Sequence, residues 1–108
     1  MKAVFIELPP FERFRQTFLS DSEYRAFQDE LLASPEKGDV IQGTGSLRKI
    51  RVAAQGRGKR GGFRGIYYWQ DTHGRCRLFT GYGKNTQSDL NSSERRQLAA
   101  ALERIKQL

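Results

Sequence analysis

The sequence predicts an α+β domain in the order β-α-α-β-β-β-α, its later strands forming a small antiparallel meander sheet with the helices packed on one face. Three observations predict it. An aromatic stripe in "FERFRQTFL" recurs at helical spacing, "LRKIRVA" alternates with a period of two, and "NSSERRQLAAALERIKQL" carries a capping signature followed by an amphipathic pattern. With 108 residues the chain has the length of one compact domain, read as residues 1–108, and no internal repeat divides it.

The elements follow in order. "AVFIEL" is a short apolar run of strand formers, stopped by Pro9 and Pro10, which predicts a first strand over about residues 3–7. From Phe11 the rings of Phe11, Phe14 and Phe18 fall on one helical face, and Pro10 suits the first helical position. Ser20 and Glu23 have capping-box spacing, and Tyr24, Phe27, Leu31 and Leu32 after them repeat at helical intervals until "SPEKGD" ends the second helix. Both aromatic stripes are core. "GDVIQGTGS" is a loop, after which Ile50 and Val52 point to one face of a strand and Lys49 and Arg51 to the other. "FRGIYYW" and "RCRLFTGY" complete the meander around a tight "DTHG" turn. Asn91 and Glu94 then cap a last helix whose apolar stripe is Leu98, Leu102 and Ile105.

Charge narrows the class of partner. The net charge is +7, and residues 40–88 hold ten cations against the single acid Asp71, whereas the flanks together are slightly acidic. A polyanion is the first partner to consider. No apolar run reaches membrane-spanning length and "MKAVFIELPP" lacks the form of a signal peptide, so the expected compartment is the cytoplasm, with no membrane partner. Cys76 is the one cysteine and His73 the one histidine, which excludes a Cys/His zinc site; no cofactor is expected. "GTGSLRK" and "GYGKN" resemble fragments of phosphate loops but complete no nucleotide-binding fingerprint.

The basic centre peaks in "QGRGKRGGFR", where glycines alternate with Arg57, Lys59, Arg60 and Arg64. Glycine lets backbone N–H groups approach an anion closely, and the cations supply charge for phosphate. A solvated hairpin tip has the same composition. Here, however, the cations continue onto the strands through Lys49, Arg51 and Arg64, which turns a basic loop into a basic groove suited to nucleic acid. Catalysis asks for more. Cleavage of RNA by its own 2′-hydroxyl needs that hydroxyl deprotonated, the phosphate charge stabilised and the 5′-oxygen protonated. His73 lies in a turn away from the loop. A lysine among cations can act as a base, arginine only stabilises charge, and Tyr67, Tyr68 and Tyr82 are conceivable acids. The residues alone thus reach RNA binding, with metal-free ribonuclease activity as its extension.

"GDVIQGTGSLRKIRVA", the glycine-cation loop, "FRGIYYW" and "LFTGYGKNTQSDLNSSERRQLAAAL" resemble the HigB group of the RelE superfamily, toxins of bacterial type II toxin-antitoxin systems. The resemblance implies a ribosome-dependent mRNA endonuclease, an mRNA interferase that cuts the message in the ribosomal A site. It also implies a HigA-type helix-turn-helix antitoxin as partner, and operator DNA bound only through the antitoxin complex. On the family pattern Lys49 matches the first lysine of the strand before the loop, Arg51 stands where the second would be, and Arg64 matches the arginine after it. A Gly-Lys-Arg run is expected after the last strand. Here it is Gly83-Lys84-Asn85, and the usual tyrosine position falls near Leu90. Tyr82, Lys84 or Lys59 would then take over proton transfer, with Arg48, Arg57 and Arg60 as further RNA contacts. Two other readings stay open: a non-catalytic module that blocks the ribosome through the same groove, and a component acting on operator DNA.

Overall fold

The computed structural model describes residues 3–52, 62–70, 74–83, 87 and 89–107. Its elements are β1 (Val4–Glu7), α1 (Pro9–Phe18), α2 (Asp21–Ala33), β2 (Asp39–Val40), β3 (Arg48–Val52), β4 (Phe63–Gln70), β5 (Arg75–Gly83) and α3 (Ser92–Lys106). They build a five-stranded sheet in the order β1-β5-β4-β3-β2. The expected meander is its centre: β3, β4 and β5 pair antiparallel in sequence order. Two edges complete it. β1 pairs parallel to β5, α1 and α2 having carried the chain across to β2 at the far edge before the meander returns it, and β2 adds two residues antiparallel to β3 within the stretch expected as loop. Two residues are too few to leave a period in the sequence. Expectations for residues 55–61, and for the turn containing His73, fall outside the described residues.

Local chemistry explains the helix starts. The Ser20 hydroxyl accepts from the Glu23 N–H at 3.1 Å while the Glu23 carboxylate accepts from the Ser20 N–H at 2.8 Å. Asn91 and Glu94 repeat the exchange at the head of α3, both bonds at 2.8 Å. α1 has no side-chain cap; it opens on Pro9 and Pro10, whose missing N–H groups would have had no partner in a first turn anyway.

The helices do not share one face, a correction to the expectation. Phe11, Phe14, Leu19, Phe27 and Leu31 of the α1–α2 layer pack with Ile50, Val52, Tyr67, Cys76 and Leu78. Leu102 of α3 packs instead with Leu47, Ile66, Phe79, Tyr82 and Leu90, and Leu98 and Ile105 join it. Successive strand residues point to opposite faces, so the neighbours Ile66 and Tyr67 assign α3 to one side and α1–α2 to the other. An amphipathic stripe says that a helix has a sheet to cover, not which side.

Two close approaches fix the α1–α2 face. A Cβ at Gly81 would overlap the Phe14 ring, so α1 seats directly on β5 there. A Cβ at Gly38 would come within 2.8 Å of the Tyr67 ring; instead the Gly38 N–H donates to the Tyr67 hydroxyl at 3.0 Å, and that hydroxyl donates to the Pro35 carbonyl at 2.7 Å.

An irregularity in β5 decides which face Tyr82 occupies. Ile66 pairs with Thr80 and Tyr67 with Leu78, leaving Phe79 as an extra residue between them. An extra residue reverses the alternation beyond it. Cys76 and Leu78 therefore face α1 and α2, whereas Tyr82 faces the other way.

Candidate nucleic-acid interface

The face opposite α1 and α2 carries Lys49, Arg51 and Arg64. Across β3, β4 and β5, Arg51 pairs with Arg64 and Arg64 with Tyr82, so three side chains stand in one transverse row. Directly opposed side chains on one sheet face begin about 4.5–5.5 Å apart at Cβ. The adjacent row is Lys49, Ile66 and Thr80. Its apolar centre, Ile66, is where α3 seats, and the polar row lies beside that seat.

Arg51 is exposed, Lys49 and Arg64 are half-buried, and Tyr82 is 8% exposed. Arg64 Nη1 and the Tyr82 hydroxyl are buried, and neither has a hydrogen-bond partner among the described residues. Burial pushes the Tyr82 phenol above its ordinary value, the Asp89 charge adds to that, and the Arg64 guanidinium acts against it. The phenol is consequently protonated at neutral pH. It can donate a proton; it is not a base.

Asp89 completes the charged face. It lies 3.1 Å from Lys49 Nζ and 3.4 Å from Arg95 Nη2, and it accepts the Leu90 backbone N–H at 2.7 Å. That N–H first, and Lys49 next, hold the Asp89 carboxyl below its usual range. Gln87 links Asp89 to the head of α3, its amide donating to the Asp89 carbonyl at 2.9 Å and to Glu94 at 3.1 Å.

Of the residues singled out from the sequence, the structure brings Lys49, Arg51, Arg64 and Tyr82 onto this one face. Arg48 is not with them. It pairs with Tyr67 on the opposite face and donates to the carbonyls of Glu36 and Gly38 at 3.0 and 2.7 Å, which ties down the turn before β2. An arginine next to Lys49 in sequence must point the other way in a strand. Arg57, Lys59, Arg60 and Lys84 lie outside the described residues. Leu90, near which the resemblance puts the usual tyrosine, is core, 7% exposed. Asp89 and Arg95 escaped sequence reading, the one available signal being the capping box, which puts Asp89 just ahead of α3 and Arg95 in its first turn. Among the described residues no group of three or more His, Cys, Asp or Glu is placed to hold a metal, and no helix is long and apolar enough to cross a membrane.

The sequence over nearly the whole chain matches a known family. The family described as the RelE toxin of the RelE/RelB toxin-antitoxin system matches residues 10–108, and the chain belongs to it. Its fold is similar to that of the free Escherichia coli toxin RelE, solved as a double arginine-to-alanine mutant (TM-score 0.56, 14% identity, covering 82% of this chain and 90% of that one). It is also similar to a chain of the archaeal RelE–RelB complex of Pyrococcus horikoshii OT3 (TM-score 0.50, 24% identity, covering 81% and 100%). At these identities the likeness is one of fold.

Proposed function

We propose that this chain is a ribosome-dependent mRNA endonuclease, the toxin of a type II pair of the HigB group, cutting the message in the ribosomal A site. The observation that carries the reading is the Arg51–Arg64–Tyr82 row, in which a buried guanidinium N–H and a buried phenol lie unpartnered on a basic face. A phosphodiester supplies what both lack. Its non-bridging oxygens accept from Arg64 as negative charge builds at phosphorus, and its 5′-oxygen leaves as an acceptor for the Tyr82 proton. The attacking 2′-oxygen forms the new bond to phosphorus and passes its proton to Lys59 or Lys84. Lys49 and Arg51 hold the flanking backbone. Ribosomal RNA bends the message into in-line geometry, and orientation of that kind contributes several orders of magnitude in rate.

The antitoxin in this reading is a HigA-type helix-turn-helix protein, operator DNA is met only through the complex, and the setting is the bacterial cytoplasm. Primer extension on one mRNA, with and without programmed ribosomes, tests it, with Arg64→Ala as control. New 5′ ends that need both ribosomes and Arg64 support the endonuclease. Blocked translation without new ends supports the second reading, a non-catalytic module occupying the A site; the burial of the Tyr82 hydroxyl is the observation in its favour.

A further inference from the structure

One row along from Arg51, the basic face holds an acid of its own. Asp89 draws Lys49 from β3 and Arg95 from α3 onto a single carboxylate, at 3.1 and 3.4 Å. The Arg95 side of that contact is incomplete. Its Nη2 reaches the carboxylate, while Arg95 Nε is buried with no partner among the described residues, although a guanidinium fork is built to give two parallel N–H bonds to one anion. Lys49 and Arg95 also border an open pocket of about 320 Å³ that Asp39, Val40, Ile41 and Gln42 complete, with Asp39 directly opposite Lys49 across the β2–β3 ladder. A small anion thus sits where a larger one, with more oxygens and room beside it, satisfies more donors.

Spacing connects this place to the proposed catalytic row. Lys49 and Arg51 are two residues apart on one strand face, about 7 Å along the strand. That is the reach of roughly one nucleotide of extended backbone.

We propose that Lys49 and Arg95 form a second phosphate subsite, one nucleotide from the Arg51–Arg64–Tyr82 row, and that Asp89 fills it in the free chain and is displaced by the incoming phosphodiester. The subsite rests on the RNA reading given above, and it makes α3 a contributor to substrate binding as well as to the core. Asp89 thereby competes with RNA: its charge lowers affinity for any strand too weakly held to displace it.

Asp89→Asn separates the parts of this proposal. The amide oxygen still accepts the Leu90 N–H, so the turn into α3 is kept while the charge is removed. The probe is a fluorescent 2′-O-methyl oligonucleotide, which binds but lacks the attacking hydroxyl, titrated by anisotropy over a salt series. Asp89→Asn is expected to bind about three- to fivefold tighter at low salt, because the phosphate no longer has to displace a carboxylate, with the log–log salt slope little changed because the contact forms in both chains. Arg95→Gln in the Asp89→Asn chain is expected to cancel the gain, and Arg95→Gln alone to weaken the otherwise natural chain severalfold. Folding of each variant is read from its thermal melt, and the Arg95→Gln single variant carries the test if Asp89→Asn does not fold. Unchanged or weaker binding in folded Asp89→Asn, with Arg64-dependent cleavage intact, overturns the subsite and leaves the endonuclease standing. Inorganic pyrophosphate provides the opposite control by calorimetry. If it binds Asp89→Asn through Arg95 while the natural chain ignores the oligonucleotide, the anion subsite stands and the RNA reading falls; if neither probe binds, both fall.

Discussion

Arg64 stands directly opposite Tyr82 across the β4–β5 ladder, and each ends in a buried polar atom with no partner among the described residues. Leaving a buried donor unsatisfied costs about 1–3 kcal/mol. The fold tolerates two such groups side by side on its basic face. Buried polar groups that a fold keeps unsatisfied side by side are a mark of function over packing.

Tyr82→Phe and Tyr67→Phe should therefore part company. The Tyr82 hydroxyl makes no hydrogen bond among the described residues, so its removal should leave the melting temperature unchanged or slightly higher, while cleavage on ribosomes falls by about two to four orders of magnitude if it is the proton donor. The Tyr67 hydroxyl joins Pro35 and Gly38, so Tyr67→Phe should lose about 1–3 kcal/mol with cleavage by the folded fraction intact. Urea melts and single-turnover cleavage on the same preparations check both, and equal loss of stability in the two variants would count against the unpartnered state of Tyr82.

Arg64→Lys keeps a positive charge and discards the planar fork. Cleavage should fall by about two orders of magnitude while the salt slope of RNA binding stays where it was, because the charge count is unchanged. A variant that cleaves normally would reduce Arg64 to a point charge in the groove.

These residues also show what could be read from sequence and what could not. Both capping boxes, the helical stripes except at Phe18, and the alternation that sends Lys49 and Arg51 away from Ile50 and Val52 are local patterns, and the structure has them where the spacing put them; Phe18, expected in the core, is 38% exposed at the last residue of α1. Tyr82 is different. Strict alternation along "RCRLFTGY" puts Tyr82 on the side of Cys76 and Leu78, and only the extra residue at Phe79, visible once β4 is paired with β5, turns it toward Arg64. The placement of α3 opposite α1 and α2, the parallel edge β1 and the meeting of Asp89 with Lys49 forty residues away are likewise products of pairing rather than of local composition.

Alkaline pH should destabilise the chain through Cys76 first. The thiol is fully buried, and burial pushes its pKa from 9.0 up to about 12. The folded value is the higher one, so the unfolded chain loses the proton earlier. Stability tied to this group is complete below pH 9.0 and is lost as pH climbs toward 12. The loss should be roughly 1 kcal/mol over the first pH unit above 9.0, before Tyr24, Tyr67 and Tyr82, all raised chiefly by burial, begin to add to it. Urea melts at pH 8, 9 and 10 should show the decline, and Cys76→Ala, whatever its packing cost, should flatten it. A slope identical in the variant would assign the decline elsewhere.

Gly81 links the α1 seat to the basic row, because it precedes Tyr82 on β5 and pairs with Gly65, the residue after Arg64. A Cβ there has no room beside the Phe14 ring, and Phe14 is itself boxed in by Phe11, Phe18 and Phe63 at centroid distances of 5.7, 5.6 and 5.4 Å. Gly81→Ala should cost about 1–3 kcal/mol through overpacking, and the strand can relieve it only by moving toward the opposite face, where Tyr82 and Arg64 stand. Cleavage should consequently fall in the folded protein as well, by more than the loss of stability explains. Phe14→Leu opens space at the clash. Combined with Gly81→Ala it should restore part of both stability and cleavage, giving a favourable coupling of about 0.5–3 kcal/mol in a double-mutant cycle. Additive losses in that cycle would place the strain of Gly81→Ala in the strand itself, and would detach the seating of α1 from the geometry of the Arg64–Tyr82 pair.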